Sequence, residues 1–183
     1  MTHLKHLSMI LYAASAALVL VACADRPTDP SSSGNGVPDA NGVKPSFTPV
    51  SGFASTLVGR GHLGTFHIQS KADKYDVELK SHDNTDIVVA NIVVAPGGHS
   101  GWHYHPGPVL VVVKTGTITF YMGDDPSCSP QVHPVGTTFI EKGGMVGIAR
   151  NETAGVDTVM ATFFVPAGSP TRIDAPAPGN CPF

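Results

Sequence analysis

The sequence predicts an all-β domain built as a double-sheet jelly roll or closed β-barrel, and three observations carry that prediction. Short runs rich in β-branched and aromatic residues recur at strand length between turn signals. No window of helical length shows a convincing apolar period of 3.6. The chain has 20 glycines and 16 prolines against only 14% charged residues, a balance that suits turns better than solvated helices. About eight strands at this spacing favour a closed shell over an open sheet.

Taken in order, the strand-like runs are Gly64–Gln69, Tyr75–Lys80, Ile87–Ala95, Pro108–Lys114, Thr117–Met122, Thr137–Glu141, Met145–Ala149 and Thr158–Val165. Asp83-Asn84, Pro96-Gly97-Gly98, Thr115-Gly116, Gly123 to Pro126 and Gly143-Gly144 punctuate them. The fourth and fifth runs read as a hairpin in which Gly116 takes the positive φ of a tight turn. No internal repeat is evident, so the reading is one folded domain over 47–166, followed by a Pro-rich tail over 167–183.

The N-terminus reads as an export signal. Lys5 gives a weakly basic start, and Met9 to Ala22 is an apolar run of signal-peptide length, short for a membrane span. It ends Leu20-Val21-Ala22-Cys23, which resembles a bacterial lipobox. That resemblance implies a signal peptide over 1–22, lipidation of Cys23 and attachment to the cell envelope, each buried methylene contributing roughly 0.8 kcal/mol. Residues 23–46 are rich in Pro, Ser, Gly, Asp and Asn without hydrophobic periodicity, the composition of a flexible tether.

With Cys23 so assigned, Cys128 and Cys181 remain, and in an oxidising compartment a disulfide between them is the default expectation. It would close a loop of about 50 residues, contribute on the order of 4 kcal/mol, and pin the tail to the domain. The net charge of −3 gives no reason to expect nucleic acid.

Chemistry concentrates in Pro96 to Gly116, which holds three histidines and the only tryptophan before running into Val109 to Val113. His103 and His105 are two residues apart, so in extended chain they share a face, and two imidazoles on one face are half of a metal site. Trp102 and Tyr104 alternate with them and should face the other way, Trp102 as a packing anchor.

This spacing resembles the first motif of the cupin superfamily, with Gly97, His103, His105 and Gly116 in register. The acid of that motif is missing: Val109 and Leu110 occupy the two positions where it could stand. In the second motif Gly144 and Asn151 match, while Lys142 and Gly147 replace the proline and the third histidine. The resemblance covers roughly Thr65 to Val165. It implies a single-domain, type-2-like cupin with a cavity for a small molecule and a degenerate site for one divalent transition metal ion, whether iron, manganese, zinc, nickel or copper. His67, His99, Gln131, His133 and Glu141 are the residues that could make up the shortfall.

Two functional classes follow: a small-molecule-binding protein without turnover, or a metal-dependent oxygenase or isomerase. The missing ligands favour the first. No rival catalytic pattern competes, since Ser100 near His99 and His103 lacks a nucleophile elbow and an orienting acid. Lys142 beside Gly143-Gly144 lacks the length of a phosphate loop. Homo-oligomerisation through an exposed β edge stays open.

Overall fold

The computed structural model describes residues 46–183. The segment expected to be a signal peptide, Cys23 and all but the last residue of the segment expected to be a tether lie outside the described residues. Ten strands form one continuous hydrogen-bonded sheet, folded into two facing sheets that meet at one corner. In the first sheet, β1 (Ser51–Ala72) pairs with β2 (Tyr75–His99), β2 with β9 (Asp157–Pro166), β9 with β4 (Val109–Thr115), and β4 with β7 (Thr138–Glu141). The second runs β6 (Gln131–Pro134), β5 (Thr117–Met122), β8 (Gly147–Arg150), β3 (His103–Tyr104) and β10 (Ile173–Asp174). The join is the pair His99 and Arg150, where the end of β2 reaches β8.

Period-two alternation builds the core. Val88, Ala90, Ile92 and Val94 of β2 point inward, as do Val109, Val111 and Val113 of β4 and Val159, Ala161, Phe163 and Val165 of β9. Ile118 of β5 meets them from the facing sheet. A second cluster of Trp102, Tyr121 and Ile148 packs against the Cys128–Cys181 disulfide, whose Cα atoms are 5.2 Å apart. Phe183 stacks on Trp102 with ring centroids 6.4 Å apart, and the Arg150 guanidinium lies over the Phe183 ring at 3.9 Å. The tail therefore packs into the domain and adds a strand to it, β10 pairing with β3.

Three expectations need correction. The runs Gly64–Gln69, Tyr75–Lys80 and Ile87–Ala95 belong to two long strands, β1 and β2, joined by a two-residue turn at Asp73-Lys74. β2 pairs with β9 only over Thr85–Val94, so the remainder of the β1–β2 ribbon extends as an arm with most side chains in water. Turn-like residues misled the reading because backbone pairing alone sustains the ladder there.

The hairpin between β4 and β5 does not form. β4 pairs with β7 and β9, β5 with β6 and β8, and Thr115-Gly116 carries the chain from one sheet to the other. Asp157 explains the corner: its Oδ1 accepts the Thr117 N–H at 2.9 Å. Gly116 has φ 74°, and a Cβ there would lie 1.7 Å from the same oxygen. Finally, Gln131–Pro134, which is not among the strand-like runs read from the sequence, is a strand along β5.

Candidate metal centre

Several contacts place the two histidines. His103 lies on β3 between Gly147 of β8 and Asp174 of β10. Its Nδ1 donates to the Gly101 carbonyl at 2.9 Å. His105 follows, and its Nδ1 donates to the Thr171 carbonyl of the C-terminal segment. A carbonyl can only accept, so both Nδ1 atoms carry the proton and Nε2 is the ring atom left on each histidine to ligate. The rings meet edge to face with centroids 4.8 Å apart, and both residues are buried.

Burial first, and then the Arg172 guanidinium and His105, push the His103 imidazole down to about 4, which keeps it neutral and available as a ligand at ordinary pH.

The third member is Glu141, at the end of β7. Its Oε2 lies 3.1 Å from His105 Nε2. In the β4–β7 ladder it is the register partner of Val109, one of the two positions where the cupin motif would have its acid. Directly opposed residues share a face, so a carboxylate one strand over enters the same space. Two close contacts hold that arrangement. The Gly144 N–H donates to the His105 carbonyl at 2.8 Å, and Gly107 and Gly143 touch so closely that a Cβ on Gly143 would lie 2.8 Å from the Gly107 Cα. The two turns are thereby clamped together, with His105 at one side and Glu141 at the other.

His103, His105 and Glu141 each offer a ligand atom, and these lie within 4.8 Å of one another. The donor set fits a transition metal. With its Nδ1 proton committed to Thr171, His105 Nε2 can meet the Glu141 carboxylate only through a cation between them, whether a proton or a metal ion. Ligand atoms bonded to one ion at about 2.0–2.2 Å lie about 3–3.5 Å apart, so the trio would have to close by about 1 Å at its widest to share an ion.

The other candidates lie elsewhere. His67 is on the exposed arm, paired with Glu78 at 2.7 Å. His99 accepts the Gly101 N–H at 3.3 Å near the sheet corner. His133 is half-buried and stacks against Phe139, ring centroids 4.1 Å apart, and Gln131 is exposed. At the missing third histidine, Gly147 leaves no vacancy: a Cβ there would lie 2.2 Å from Phe120 Cζ. The Phe120 ring fills the place. Ser100 is buried and occupied, accepting the Ala149 N–H and donating to the Gly101 carbonyl, both at 2.9 Å, so it is no nucleophile.

The trio lines a cavity of about 160 Å³ whose other walls include Phe53, Ile92, Val94, Val111, Phe139 and Phe163. The resemblance implied a cavity for a small molecule. It did not foresee Thr171 and Arg172, which the tail brings to the same cavity.

No protein-family model matches the chain, and no curated protein does. Among solved structures it is similar to an uncharacterised Klebsiella pneumoniae protein with a double-stranded β-helix domain, at 18% identity over 61% of this chain and 84% of that one, TM-score 0.42. It is similar to a cupin superfamily protein from Desulfitobacterium hafniense at 9% identity over 70% and 89%, TM-score 0.43. A third is the polyketide cyclase RemF from Streptomyces resistomycificus, at 15% identity over 49% and 60%, TM-score 0.42. These are likenesses of fold.

Proposed function

We propose that this protein binds one divalent transition metal ion through His103, His105 and Glu141 and presents the open side of that ion to a small, largely apolar molecule in the cavity. The observation that carries the reading is the convergence of two imidazoles, each anchored through Nδ1, with a carboxylate on one apolar hollow. Three protein ligands leave positions for a further ligand.

Such an ion would supply Lewis acidity or, for iron, manganese or copper, redox chemistry. The chain's own residues do the rest. Gly101 and Thr171 orient the imidazoles, Glu141 offsets charge, and the aliphatic and aromatic walls exclude water. Glu141 also favours the second reading, a metal-dependent oxygenase or isomerase, because it restores the carboxylate whose absence argued against turnover. Two histidines and one acid with open positions are a donor set used by iron oxygenases.

The test is the metal content of the purified protein beside its variants. Stoichiometric metal in the unaltered protein, lost in the His103→Ala/His105→Ala double variant, is the expected result. Metal retained by the double variant overturns the site.

We further propose a lipid-anchored protein of the bacterial cell envelope. Support comes from Leu20-Val21-Ala22-Cys23 and from a Cys128–Cys181 disulfide suited to an oxidising compartment. Mass spectrometry of the membrane fraction should find acyl chains on Cys23, and an unmodified, soluble protein would refute this.

A further inference from the structure

Resting on the metal reading above, a second feature of the cavity identifies the class of ligand. The C-terminal segment places Arg172 beside the two histidines, and it lines the same cavity. Its Nε and Nη2 both reach Asp174 Oδ1, each at 2.7 Å. A guanidinium has five donors, and among the described residues Nη1 has no hydrogen-bond partner. The Arg172 side chain is only 27% exposed, so it is partly withdrawn from water.

Charge counting gives the sign of what is missing. A divalent ion and Arg172 bring three positive charges, Glu141 and Asp174 two negative ones, and the imidazoles are neutral. One positive charge is left at the edge of a hydrocarbon hollow, and a ligand anion would neutralise it. Size follows from the cavity, about 160 Å³. An apolar cavity of about 150 Å³ holds benzene. The far walls carry no cation, so a second carboxylate at the other end of the ligand would be buried unpaired.

We propose that the ligand is a small monocarboxylic acid of about benzoate size, its carboxylate set between the metal ion and the Arg172 guanidinium and its hydrocarbon body against Ile92, Val111 and Phe163.

Calorimetric titration of the full chain loaded with zinc tests this with benzoate, benzyl alcohol and terephthalate as probes. Benzoate is expected to bind about 10-fold or more tighter than benzyl alcohol, as one charge-assisted contact requires, and terephthalate to bind weakly. Arg172→Gln should abolish the preference for benzoate while zinc stoichiometry is unchanged. Asp174→Asn, which frees the guanidinium and preserves side-chain shape, should tighten benzoate severalfold and keeps the test alive if Arg172→Gln misfolds. Equal binding of acid and alcohol, or a benzoate preference indifferent to both substitutions, overturns the proposal. If the unaltered protein takes up no zinc, the metal reading falls, and the same comparison on metal-free protein still decides the role of Arg172: benzoate binding lost in Arg172→Gln upholds it, and unchanged binding overturns it.

Discussion

Glu141 stands directly across the β4–β7 ladder from Val109, so a carboxylate lies one strand over from the position where the cupin motif would have its acid. Opposed side chains in an antiparallel pair are about 5 Å apart at Cβ, close enough for either strand to serve one ion.

The exchange is testable by moving the acid back. Glu141→Ala should weaken metal binding by more than the roughly 10–100-fold that losing a partner behind a ligand costs. Adding Val109→Glu to that variant should recover at least part of the loss, as read by competition with a chelator. No recovery in a folded double variant would show that the two positions do not share the site.

Gly147 and Phe120 form a matched pair, since the ring occupies the space a side chain at 147 would need. Gly147→His alone should destabilise by about 1–3 kcal/mol through overpacking. Combined with Phe120→Ala, it should cost less than the two single changes together, a coupling of roughly 0.5–3 kcal/mol in urea denaturation. Additive costs would mean that the ring and the new side chain do not compete.

The Cys128–Cys181 bond holds the tail whose Thr171 carbonyl orients His105. Replacing both cysteines by serine should lower stability by up to about 4 kcal/mol. It should also weaken metal binding by roughly 10–100-fold, because the orienting carbonyl is no longer held in place. Chelator competition below the unfolding midpoint separates the two effects.

Asp86 accepts hydrogen bonds from the Gly168 N–H at 3.0 Å, His62 Nδ1 at 2.9 Å and Arg60 Nε at 2.8 Å. The Gly168 N–H first, then His62 and Arg60, hold its carboxyl well below the usual carboxylate range. A folded-state value below the unfolded one, about 3.9, means that the contribution is complete above that pH and fades as the pH falls further. The difference in urea midpoint between the unaltered protein and Asp86→Asn should shrink as the pH falls below about 4. A difference that grows as the pH falls below about 4 would contradict the assignment.

By itself the sequence determined what local pattern can encode. Alternating valines and frequent turn formers specify a β shell, the two-residue spacing of His103 and His105 puts both rings on one side, and Cys128 and Cys181 make a pair. Only the tertiary structure decided which acid joins the histidines, that Thr115-Gly116 crosses between sheets rather than closing a hairpin, and that Thr171 and Arg172 of the tail reach the cavity. The reason is that strand pairing is non-local, and a slip of one residue sends every side chain to the other face. Glu141 belongs to the site because of its register against β4, and register is a property of two strands together.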